Sequence, residues 1–121
     1  MATRFQDFPP VSAAPFHLTP VAYRQIIVTN TAQSLQALLT AAKNAAGIAS
    51  PYTLDSGEME RSALFSVGGI GVVYLDDGQI PTATYGQPLG ANTATSIATA
   101  FSQMMLISTG ANATVNVTFY R

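Results

Sequence analysis

The stretch Thr114-Val115-Asn116-Val117-Thr118-Phe119-Tyr120 decides how this chain folds. Val115, Val117 and Phe119 alternate with Asn116, Thr118 and Tyr120. Side chains of an extended strand point to opposite faces in turn, so this pattern predicts a strand with one face in a core and one outward. Just before it, residues 110–112 read as a turn and residues 104–108 as a short apolar strand. Residues 91–103 remain open between two readings. Ile97, Phe101 and Met104 have helical spacing, with Thr95 or Ser96 as a cap, while the β-branched residues among them oppose a helix.

Further upstream, residues 81–90 carry too much Pro and Gly for regular structure, and they are expected to cross from one sheet to another. Asp76-Asp77-Gly78 is a reverse-turn signal, because glycine accepts positive φ without steric cost. Residues 63–67 and 70–75 read as strands split by Gly68-Gly69, which predicts a hairpin turn or bulge. Gly68-Gly69-Ile70-Gly71 lacks the Lys-Ser/Thr of a phosphate loop. Asp76 and Asp77 are expected side by side on a turn tip, both facing water, a placement that does not suit two carboxylates to divide acid and base roles. The following Gln79, Ile80, Pro81 and Thr82 do not continue a calcium loop, so neither aspartate reads as catalytic or metal-binding.

In the first half, residues 21–30 contain the run Ile26-Ile27-Val28, suited to a largely buried strand. Residues 31–34 then offer N-cap candidates. Leu35, Leu38, Leu39 and Ala42 follow at i, i+3, i+4 and i+7, and with Gly47 as the stop they predict a helix of about three turns, the alternative being an irregular segment because Thr40 and Asn44 are indifferent helix formers. From Ala49 onward, Ser50-Pro51 and Ser56-Gly57 mark turns, and with Asp55, Glu58, Glu60 and Arg61 clustered there the segment reads as a solvated loop. Residues 1–20 contain Pro9, Pro10, Pro15 and Pro20, which bar a helix or central strand and leave an extended arm. Phe5, Phe8 and Phe16 on that arm are expected to dock on the body or on a neighbouring subunit. His17, the sole histidine, has no second His or carboxylate cluster beside it and reads as an arm residue rather than a ligand or base.

Composition narrows the function. The chain has 121 residues, enough for one core without staples, so it is expected to form one domain at 21–121 behind the arm at 1–20. Five Lys plus Arg against six Asp plus Glu leave a net charge of −1, with no basic stripe to displace counterions from phosphates. Nucleic-acid binding is therefore not expected. There is no Cys, hence no thiol nucleophile or Cys-ligated metal, and no apolar run long enough to span a bilayer. Neither export nor membrane insertion is expected. Residues 78–120 contain no Asp, Glu, Lys or Arg at all, whereas ordinary small domains place charge over roughly a quarter to a third of their surface. Nineteen Ala and fourteen Thr take its place, and a weakly polar, easily desolvated exterior suits permanent contact with other subunits.

The segment Asp76-Asp77-Gly78-Gln79-Ile80-Pro81-Thr82-Ala83-Thr84-Tyr85-Gly86-Gln87-Pro88-Leu89, with Met105-Leu106-Ile107 and the final Val115-Asn116-Val117-Thr118-Phe119-Tyr120, resembles a family of small virion structural proteins of tailed bacteriophages. In that pattern Asp76, Asp77, Gly78, Pro81, Gly86 and Pro88 form the turn motif. The chain departs from it at Gln79-Ile80, where a smaller pair is more familiar, and in its proline-bearing arm. The resemblance implies a mainly β, single-domain β-sandwich, jelly-roll-like, with one or two short helices. It also implies a capsid decoration or cement protein, located in the virion and assembled in the bacterial host cytoplasm. Its expected partners are the major capsid protein or other virion subunits, and a homo-oligomer, a trimer by analogy, with Phe5, Phe8 and Phe16 making the arm contacts. A second reading is a glycan- or receptor-binding module of a tail or fibre, built from Tyr52, Tyr74, Tyr85 and Gln87. No cofactor is expected. Neither is an enzyme, because no acid–base pair, triad or metal cluster is complete in the sequence.

Overall fold

The structure, a computed structural model, describes residues 18–55 and 60–121. Its strands run in chain order as β1 (Pro20–Val28), β2 (Gln33–Ser34), β3 (Ser62–Val67), β4 (Val72–Leu75), β5 (Gln87–Leu89), β6 (Ala94–Ile97), β7 (Met105–Ser108) and β8 (Ala113–Tyr120). A helix, α1 (Leu35–Thr40), follows β2, and a 3-10 turn occupies Phe101–Gln103. One four-stranded sheet has the order β1-β8-β3-β6 and the other β2-β7-β4-β5, antiparallel throughout. β1 pairs with β8, β2 with β7, β3 with β6 and β4 with β5, as if one long hairpin had been rolled up. That strand order is the jelly roll, and the chain is a β-sandwich.

The alternation in the last strand sets the inside of the first sheet. Val115, Val117 and Phe119 are wholly buried, and β8 lies between β1 and β3. Ala63, Phe65 and Val67 of β3 and Ile26 and Val28 of β1 face the same core. Leu89, Leu106 and Val72 close it from the second sheet. Phe101, delivered by the 3-10 turn, meets Phe119 edge-on with ring centroids 5.6 Å apart and planes at 82°.

Several expectations change on folding. Ile26-Ile27-Val28 is not a uniformly buried run: Ile27 is 44% exposed, because β1 is an edge strand with one face outward. The helix buries the expected Leu35, Leu38 and Leu39 but is only six residues long, and Ala42, also buried, lies beyond its end. Ser34 caps it, its hydroxyl accepting from the Ala37 N–H at 3.1 Å. Beyond Ala42 the chain is drawn away from the helical path by Lys43, which exchanges backbone hydrogen bonds of 2.7 and 2.9 Å with Gln25 of β1. Gly47, at φ +78°, closes a turn on Asn44 instead of ending the helix.

Gly68-Gly69 is neither hairpin turn nor bulge. β3 and β4 belong to different sheets, and residues 68–71 carry the chain between them, with Gly68 N–H donating to Thr114 O and Thr109 N–H to Gly71 O. Residues 81–90 are not wholly irregular, since they contain β5, nor do they cross between sheets: β4 and β5 share one sheet, and the crossing falls between β5 and β6. Residues 91–103 resolve into β6 and the 3-10 turn, the β-branched residues prevailing over helical spacing. Thr19 and Pro20, assigned to the arm by sequence, already pair with Arg121 and Tyr120.

Candidate interaction surfaces

Arg24 is the only charged residue in any of these strands. Its side chain turns back on the body: Nε donates to Ser50 O at 2.6 Å, Nη1 donates to Tyr23 O at 2.7 Å, and the guanidinium lies 5.6 Å from the Tyr52 ring centroid. Both sheets therefore present outer faces made of uncharged side chains. On the first sheet these are Gln25, Asn116, Thr118, Leu64 and Ser96 among others, with Gln25 Nε2 donating to Asn116 Oδ1 at 3.1 Å.

The second sheet is different in kind. Leu106 and Val72 point into the core, so the alternate positions Val73, Leu75, Met105 and Ile107 point outward, and register places Val73 beside Ile107 and Leu75 beside Met105. Its outer face is thus apolar. Val73 is covered and Pro81 is fully buried, whereas Leu75, Met105 and Ile107 are half-buried. At the rim, Ile80 and Tyr85 on the β4–β5 connection are 68% and 64% exposed. Part-exposed apolar side chains gathered on one face in this way are a feature of contact surfaces.

The turn motif holds this connection against the sheet. Gly78 takes φ +83°, and the Asp77 carboxylate accepts the Gln79 N–H at 3.0 Å, as a reverse turn requires. Asp76 Oδ2 accepts the Thr99 hydroxyl at 2.9 Å. Thr82 and Tyr85 exchange backbone hydrogen bonds at the tip. Gly86 has φ +139° and lies so near β4 that a Cβ there would stand 2.6 Å from Val73 Cγ1 and 2.9 Å from Tyr74 O. Pro88 sits in β5, an edge strand, where its missing N–H costs least.

Sequence reading did not find a second cluster, because it lies in the segment taken for a solvated loop. Tyr52 stacks on Phe119 with centroids 5.1 Å apart and planes at 13°. Its hydroxyl donates to Glu60 Oε2 at 2.6 Å, and the Glu60 carboxylate also accepts the Asp55 N–H at 3.3 Å. Glu60 is buried. Desolvation first, then the hydrogen bond to Glu60 and its negative charge, push the Tyr52 hydroxyl from 10.0 up to about 12, partly opposed by Arg121 and Arg24. Only the aromatic ring hinted at this clamp.

The tyrosines proposed for a glycan platform are not assembled as one. Tyr52 is engaged as described, and Tyr74 packs against the core opposite Gln87. Only Tyr85 stands clear. Among the described residues no group of three His, Asp or Glu side chains could hold a metal, and no ligand-sized pocket opens. Phe5, Phe8, Phe16 and His17 lie outside the described residues. Compared with known proteins, the chain matches no family model, no curated protein and no solved structure.

Proposed function

We propose that this chain is a structural protein of a tailed-bacteriophage virion, a decoration or cement protein that binds the assembled head shell and stabilises it. The observation that carries this reading is the apolar outer face of the second sheet, Leu75, Met105 and Ile107 rimmed by Ile80 and Tyr85, on a body whose strands hold one charged residue. Covering such a face lowers the free energy of whatever assembly covers it. A protein that binds the lattice and not its free subunits shifts the equilibrium toward the lattice by mass action. The resemblance of residues 76–89 and of the last strand to phage virion proteins points the same way.

In this reading the arm adds contacts on an adjacent subunit, each phenylalanine ring contributing about 1.5–3 kcal/mol if fully buried. The test is co-sedimentation of the purified chain with expanded phage heads lacking it. Saturable binding at a fixed number of copies per capsid subunit is expected, and deletion of residues 1–16 weakens it while leaving the circular dichroism of the body unchanged. A chain that stays in the supernatant at every concentration refutes the proposal. A glycan-binding role draws less support, because Tyr52 and Tyr74 are committed to packing. Saturable signal on a glycan array would favour it.

A further inference from the structure

A sandwich of two open sheets has four edges, and unpaired strand edges invite pairing with other chains unless they are blocked. Three are blocked here. β1 is covered at Gln25 by Lys43, β2 is two residues long and runs straight into α1, and β5 contains Pro88. The fourth, β6, carries no such device. Its sequence Ala94-Thr95-Ser96-Ile97 has no proline and no charge, it pairs with β3 without a register shift, and its first three residues are exposed. Val67 N–H donates to Thr93 O at 2.8 Å, so with the antiparallel register the backbones of Thr95 and Ile97 also turn toward β3. Those of Ala94 and Ser96 therefore point away from the sheet.

Resting on the assembly reading above, we infer that β6 accepts a strand from the arm of a second copy of this chain, residues 2–8. That stretch is the part of the arm free of proline, since Pro9, Pro10 and Pro15 bar sustained pairing beyond it. Residues 9–17 then serve as the tether. Nine extended residues reach about 30 Å, more than the roughly 13 Å radius of gyration of a domain this size, so the arm can leave its own body. The arm departs at Thr19 beside Arg121, at the β1 side of the sheet, with β8 and β3 between it and its own β6. Arg61 N–H donates to Tyr120 O, and Arg121 pairs with Asp55 at 3.9 Å, so the segment entering β3 lies across the short way round. The assembly reading makes a neighbour's β6 the destination, and the concentration dependence of protection separates it from the arm's own.

The experiment is amide hydrogen exchange of the full chain over a range of concentrations, read at Ala94 and Ser96. Their exchange is expected to slow about tenfold or more as the chain self-associates. Ser96→Pro removes a donor that faces away from β3 and is expected to weaken self-association about tenfold. Ala94→Lys, which keeps every backbone donor, does the same by placing charge on the edge. Deleting residues 2–8 restores fast exchange at both amides.

Three outcomes overturn the inference. One is fast exchange at Ala94 and Ser96 in the associated chain. Another is protection that survives deletion of residues 2–8, which would mean that β6 pairs with β6. The third is protection independent of concentration, which would mean that the chain's own arm lies there. Head binding that persists alongside any of these leaves the virion role standing and removes only this docking mode.

Discussion

Replacing Gly86 by alanine tests how the β4–β5 connection is held over the apolar face. The backbone at Gly86 has φ +139°, a conformation that side-chain-bearing residues rarely adopt, which costs about 1–3 kcal/mol. The added methyl would also stand 2.6 Å from Val73 Cγ1 and 2.9 Å from Tyr74 O. The valine side chain can turn aside, but the carbonyl belongs to β4 and can give way only if the strand moves, adding about 1–3 kcal/mol of overpacking. The total is about 2–6 kcal/mol, and for a domain of this size each kcal/mol lowers Tm by several degrees. Thermal unfolding followed by circular dichroism is expected to show Gly86→Ala melting at least about 10 °C below the parent chain. Gly90→Ala is the companion, since its new Cβ meets only the Thr93 side chain at 3.5 Å and should change stability by no more than about 0.5 kcal/mol. If Gly86→Ala melts with the parent, the connection is not seated on the sheet as described.

Other expectations follow from the same geometry. Ser34→Ala removes the N-cap acceptor of α1 and should cost about 1 kcal/mol in urea unfolding. The Tyr52 hydroxyl keeps its proton to about pH 12 in the folded chain, whereas an unfolded tyrosine releases it near 10.0. The folded-state value is raised, so the stabilisation is complete below pH 10 and is lost as pH climbs toward 12. Denaturation curves across that window should therefore fall more steeply for the parent than for Tyr52→Phe. Ile107→Lys charges the outer face of the second sheet without touching the core. It should unfold like the parent but bind heads at least about tenfold more weakly, as sedimentation would reveal.

The strand at Ala113–Tyr120 was legible because local alternation and tertiary burial agree there: each apolar residue in turn meets the core. The turn at Asp76-Asp77-Gly78 was legible because glycine's backbone freedom is a local property. The helix was read too long because its end is set by Lys43 pairing with Gln25, a contact that leaves no trace in spacing. The glycines at 68–69 signal a change of direction but not whether the next strand returns to the same sheet. For the interaction surface, the scarcity of charge was visible in composition. The apolar row was not, because Met105-Leu106-Ile107 carries three apolar residues in succession, and only the register shows that Leu106 is the one facing inward.

The rolled order also dictates when the molecule can take shape. β8, the last of the eight strands in chain order, is the one that joins β1 to β3, and the Gln25–Asn116 hydrogen bond spans 91 positions. Contacts so far apart in the chain close slowly, since the entropy of a large loop is lost before any pairing compensates for it. A nascent chain halted before Ala113 would hold β1 and β3 with nothing between them, a species with open edges prone to clump. Folding of the first sheet must therefore wait until β8 has been made, and a chain cut short before Ala113 is left with bare edges that stick to their own kind.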